Sequence, residues 1–168
     1  VELEGVGAHR ELPVVGGAGD GPVDVGELAA VAADPHQHYT RYFELVRQLA
    51  TSGLCDIIAH FDVPKRSGTL PDPQVHNETL AAIARAGVAM EINMSGYRHP
   101  ELPAPQPYPS LEIVEQAHRL GIPLMVNSDA HAPEQVGLRF TEMEQFLRGI
   151  GCRQLVRFEA RQRITYRL

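Results

Sequence analysis

Three polar residues stand where short apolar runs end. His60 closes Cys55-Asp56-Ile57-Ile58-Ala59, while Asp129 and His131 directly follow Pro123-Leu124-Met125-Val126-Asn127-Ser128. In an extended or turning segment, residues two apart point the same way, so Asp129 and His131 can face one ion or two adjacent ions. An imidazole, a carboxylate and a second imidazole suit Zn²⁺, Mn²⁺ or Fe²⁺, with positions left open for water or substrate. Glu91 and Asn93 alternate along the run between them and can hold such ligands from behind. The bland alternatives stay open: a lone His at a strand end is more commonly a hydrogen-bonded structural residue, and Glu91 and Asn93 equally suit a polar barrel lumen. The shared placement of all three at one rim is what favours ligation, because parallel α/β folds gather their reacting groups where strands end.

The elements that must position these residues alternate regularly. Asp34-Pro35 reads as an N-cap followed by proline at the first helical position, after which Tyr39, Tyr42, Phe43, Val46 and Leu49 recur at helical spacing up to Ser52-Gly53. Residues 55–60 read as a buried strand, 77–85 as a helix closed by Gly87, and 88–93 as a second strand. A proline-rich loop leads to a helix over 110–120 with Ile113, Val114 and Ala117 inward, then to a third strand over 123–128. The capping box Thr141-x-x-Glu144 marks a helix burying Met143, Phe146, Leu147 and Ile150, and a fourth strand is expected over 155–158. Strands about thirty residues apart with one helix per gap imply repeated βα units and a parallel sheet, hence the α/β class. A closed barrel of this kind needs about 250 residues, so these 168 supply part of one or a small open sheet.

Residues 1–33 hold seven of the fifteen glycines and lack useful periodicity, so a loose leader is expected there, with the globular part over 34–168. The formal charge of −6 argues against general affinity for nucleic acid, although six arginines against one acid make residues 148–168 locally basic. No run approaches a membrane span, and Cys55 and Cys152 lie far apart outside any C-x-x-C pair. A cytoplasmic protein without membrane or nucleic-acid partners is the expectation.

Five blocks carry a family resemblance: His60-Phe61-Asp62-Val63-Pro64-Lys65-Arg66-Ser67-Gly68, Glu91-Ile92-Asn93-Met94-Ser95-Gly96-Tyr97-Arg98, Pro109-Ser110, Asn127-Ser128-Asp129-Ala130-His131, and Arg157-Phe158-Glu159-Ala160-Arg161. In order and spacing they resemble the C-terminal half of histidinol-phosphate phosphatases of the PHP (polymerase and histidinol phosphatase) superfamily. The resemblance implies a partial, distorted (β/α)7 TIM-like barrel lacking its N-terminal strands. It implies up to three divalent metals in the family, fewer here, and hydrolysis of L-histidinol phosphate in histidine biosynthesis. On that carry-over His60, Asp129 and His131 match metal ligands, and Arg98 matches a position that grips the substrate phosphate. A planar guanidinium suits that grip, because it matches two phosphate oxygens.

The family's opening H-x-H has no match, since His36-Gln37-His38 falls at the start of a helix where the family has no ligands, and His9 reads as a surface residue. Arg161 and Arg163 could line the same mouth, though solvated charges near a chain end are commoner. His76, His99 and His118 read as solvent-facing. The expected function is thus a metal-dependent phosphomonoesterase with a small phosphorylated substrate. The alternatives are a non-catalytic half-barrel that covers its strand edges with a partner or a second copy, and a PHP module of a polymerase.

Overall fold

The structure, a computed structural model, describes residues 35–67, 73–100, 102 and 104–168. The leader expected over 1–33, with His9, lies outside them, as do Asp34 and Gly68.

Helix α1 runs Pro35–Thr51, strand β1 covers Ile57–Ile58, α2 runs Pro73–Ala86 and β2 covers Ala89–Asn93. Then follow α3 (Leu111–Arg119), β3 (Leu124–Asn127), α4 (Phe140–Gly149), β4 (Gln154–Glu159) and β5 (Gln162–Arg167). Single 3₁₀ turns at Val63–Ser67, Met94–Arg98 and Pro133–Gln135 occupy the loops after β1, β2 and β3.

The first three strands form a parallel sheet in the order β1-β2-β3. Ile58 lies opposite Met90, and Asn93 opposite Asn127, so the chain leaves the sheet at one edge after each strand. Central β2 is buried along its whole length. Its side chains alternate: Met90 and Ile92 join the hydrophobic cluster, whereas Glu91 and Asn93 take the opposite face. That cluster is completed by Tyr39, Phe43 and Val46 of α1, Leu80 and Ile83 of α2, Val114 and Ala117 of α3, and Met143 and Leu147 of α4. Phe43 is its hub, in ring contact with Tyr42 and Phe61 at 5.0 Å each and with His76 at 4.6 Å. Truncating so enclosed a ring to alanine typically costs about 3–5 kcal/mol.

Three expectations need correction. The fourth strand does not extend the parallel sheet: β4 pairs antiparallel with β5, an element the sequence reading did not contain, in register Glu159↔Gln162 through Gln154↔Arg167. The connecting Ala160 and Arg161 both have positive φ, 47° and 65°, the backbone of a tight hairpin turn whose twist matches the strands. Second, Thr141 does not cap α4. Arg139, left-handed at φ 59°, holds the N-cap position, and its guanidinium takes Glu142, while Glu144 bonds Arg148. Third, the first strand is only two residues long, because the chain already bends at His60, whose φ is 32°.

The histidines expected in solvent are half-buried. His76 packs on Phe43 and Phe61, and His99 lies beside Tyr108. The proline-rich loop returns along β2, where Asn93 and Tyr108 exchange backbone hydrogen bonds. Gly96 allows this return: a Cβ there would run into the Gln106 carbonyl.

Candidate functional site

At the edge where β1, β2 and β3 end, buried Glu91 joins all three. Its Oε2 accepts from the His60 backbone N–H at 3.0 Å and from Asn93 Nδ2 at 3.1 Å, and its Oε1 accepts from Asn127 Nδ2 at 2.7 Å. A carboxylate removed from water is tolerable only when its lone pairs are met in this way. Asn93, also buried, spends its amide fully. Nδ2 donates to Glu91 and, at 3.2 Å, to Asp129 Oδ2, while Oδ1 accepts from the Ser95 backbone and hydroxyl at 2.9 and 2.6 Å. The His60 turn and the Asp129 carboxylate are therefore linked through Glu91 and Asn93 at one sheet edge.

Asp129 itself is left-handed, φ 47°, a conformation that Asp adopts more readily than most residues. Its backbone carbonyl lies 3.0 Å from His131 Nδ1, and the His131 N–H donates to Gln135 Oε1 at 2.8 Å. If Nδ1 carries the ring proton, that contact is a hydrogen bond and the lone pair falls on Nε2 of an exposed ring.

Arg98 ends the 3₁₀ turn after β2. Its Nη1 donates to the Ser128 carbonyl at 3.0 Å and its Nη2 to the Asp129 carbonyl at 2.6 Å. Two of its five N–H donors are thus spent on backbone, and three have no protein partner among the described residues. Arg161 and Arg163 are elsewhere. Arg161 pairs with Asp56, just before β1, at 2.9 Å, and Arg163 bonds the Gly87 carbonyl, just before β2, so both sit at the opposite end of the strands.

Beside the edge, the side chain of the chain's single lysine is largely covered. Lys65 Nζ lies 3.1 Å from Asp62 Oδ2, 2.7 Å from the Pro107 carbonyl and 4.7 Å from the centre of the Tyr108 ring. Asp62 Oδ2 also accepts from the Ser110 N–H at 3.0 Å. Burial pushes the Asp62 carboxyl up, opposed by Lys65, and pushes the Lys65 ammonium down, opposed by Asp62. The pair locks the loop after β1 onto the end of the proline-rich loop.

His60, Asp129 and His131 thus share an edge, with Glu91 and Asn93 behind them. Among the described residues, however, no three His, Cys, Asp or Glu side chains converge as a metal-binding group. The donor types suit a divalent ion; the described residues alone do not close a site around one. Sequence reasoning missed the part played by Asn127 and by the Ser128 and Asp129 carbonyls. Asn127 was detectable as the residue in register with Asn93; the carbonyls carry no signal in residue type.

Comparison with known proteins bears on the chain's family and fold. A family model described as PHP-associated matches residues 112–154. A Deinococcus radiodurans protein named probable histidinol-phosphatase is 40% identical over 116 residues, 68% of this chain and 44% of that protein. The crystal structure of a Listeria monocytogenes protein assigned as a histidinol phosphatase matches with a TM-score of 0.54 and 21% identity, over 63% of this chain and 43% of that one. At that identity the likeness speaks to the fold. The chain spans less than half the length of either protein. Family model and relative agree in likening the chain to the C-terminal part of histidinol-phosphatase members of the PHP superfamily, and the fold is of the same kind.

Proposed function

We propose that this chain forms part of a metal-dependent phosphomonoester hydrolase that converts L-histidinol phosphate to L-histidinol, within a distorted (β/α)7 TIM-like barrel. The named relative supports the substrate, and the edge built on Glu91 supports the chemistry. In this reading His60, Asp129 and His131 donate to divalent ions of Zn²⁺, Mn²⁺ or Fe²⁺ type, which need donors in addition to these three. A divalent ion there would supply Lewis acidity and lower the pKa of bound water. The chain's own residues set the stage for that ion. Asn93 fixes one carboxylate oxygen of Asp129, Glu91 holds the His60 backbone, and the Arg98 N–H groups that have no partner among the described residues would serve as donors to a phosphate.

The observation that carries the reading is the linked path His60–Glu91–Asn93–Asp129, which brings a turn after one strand and a carboxylate after another to a common edge. Its test is phosphate release from L-histidinol phosphate by the purified protein with Mn²⁺ or Zn²⁺, beside bound-metal analysis of His60→Ala. Turnover, with metal content and rate both lowered in the variant, supports it. Protein that binds no metal and stays inactive with either ion contradicts it.

A second reading has one observation in its favour. Among the described residues β1 pairs on one side only, so its outer edge offers unpaired backbone groups to a partner or a second copy. Size-exclusion chromatography with light scattering decides: a self-associating, metal-free protein favours a non-catalytic half-barrel, and a monomer disfavours it.

A further inference from the structure

We propose that Arg98 is the positioning residue for both Asp129 and His131, clamping the backbone at the turn that follows β3; this rests on the reading of those two residues as metal donors. Successive carbonyls along an extended strand point in opposite directions, so one guanidinium cannot ordinarily take two in a row. Here Nη1 and Nη2 take the carbonyls of Ser128 and Asp129, which converge because the chain turns at Asp129 into the left-handed region. The rigid fork of arginine matches that pair of acceptors, and a lysine ammonium does not reproduce it.

The clamp acts on both donors. Arg98 stands on the 3₁₀ turn Met94–Arg98, and that turn is capped by Asn93, whose Oδ1 accepts from the Ser95 N–H. The same Asn93 donates to the Asp129 carboxylate. One short segment, from the last residue of β2 through the turn after it, thus holds Asp129 at both ends, carbonyl through Arg98 and carboxylate through Asn93. The Asp129 carbonyl that Arg98 grips is also the one 3.0 Å from His131 Nδ1, so fixing it orients the imidazole as well. Orientation of a ligand through the nitrogen that does not ligate is a general requirement of imidazole donors.

Arg98→Lys in the full protein separates this role from a phosphate contact, with Arg98→Gln read in its place if the lysine variant does not fold. The first readout is amide hydrogen exchange. The clamp predicts acceleration of at least about tenfold over residues 129–135, with residues 89–93 unchanged. The second is bound Mn²⁺ per chain after dialysis, which the clamp predicts to fall. Exchange and metal content both at wild-type values, with only competition by inorganic phosphate weakened, would overturn the proposal and leave Arg98 as a substrate contact. If the wild type itself holds no Mn²⁺, the metal reading fails, and exchange over residues 129–135 alone then upholds or overturns the clamp.

Discussion

The Asn93 amide lies 3.2 Å from the Asp129 carboxylate, reaching from the end of β2 to the turn after β3. Because the same nitrogen also bonds Glu91, Asn93 is the neutral spacer that lets two carboxylates approach one edge without facing each other unscreened. Asn93→Ala leaves the Ser95 N–H and an oxygen of Glu91 short of partners, and is expected to cost about 2–3 kcal/mol in urea unfolding. Asn93→Asp would set a third carboxyl beside the two. Its folded pKa is raised by its neighbours, so the penalty should be small near pH 4 and grow as pH rises toward 8. Equal destabilisation at both ends of that range would contradict the spacer role.

Lys65 and Asp62 are expected to behave as a unit. With side chains only 9% and 4% exposed, removing one strands the other charge, so Lys65→Met should cost about 3–5 kcal/mol. The double variant Asp62→Asn/Lys65→Met should cost clearly less than the two single changes added together. Additive losses in a double-mutant cycle would show that the pair does not couple.

His76 carries a pH signature. Burial against Phe43 and Phe61 pushes its imidazole down to about 4 from an ordinary 6.5. Between those values the unfolded chain takes a proton that the folded one refuses, so stability falls as pH drops from about 6.5 toward 4 and levels off below. The ring keeps some solvent contact, and about 1–2 kcal/mol is a fair discounted magnitude. His76→Gln should flatten the decline in Tm between pH 7 and pH 5. An unchanged slope would assign the acid sensitivity to other groups.

What could be read from residue order was the part governed by periodicity. Tyr39, Phe43 and Val46 at helical spacing did form the inner face of α1, and the apolar runs around Met90 and Leu124 did become neighbouring parallel strands. Placing His60, Asp129 and His131 at strand ends followed from the same pattern. What could not be read depends on backbone direction. β5 carries Arg163, Thr165 and Arg167 in an exposed strand, so it lacks the apolar alternation that marks a half-buried one. Thr141-x-x-Glu144 matched a capping box, but Arg139 turned left-handed one residue before the helix and took the cap position. Arg98 was legible as a cation near the site, whereas its acceptors are carbonyls that every residue possesses. Lys65 stood in one of the family-like blocks with no role to be derived, because burial of a charge follows from loop packing, not from its neighbours in sequence.

In the proposed function His60, Asp129 and His131 donate to a divalent cation at the edge where β1 and β3 end. Crystals of the protein grown with Mn²⁺ or Zn²⁺, with diffraction recorded across the metal absorption edge, decide whether they do. An anomalous peak is expected at that edge of the sheet, about 2.0–2.2 Å from a carboxylate oxygen of Asp129 and an imidazole nitrogen of His131 or His60. Catalytically active crystals whose only anomalous peaks lie away from all three residues would contradict it.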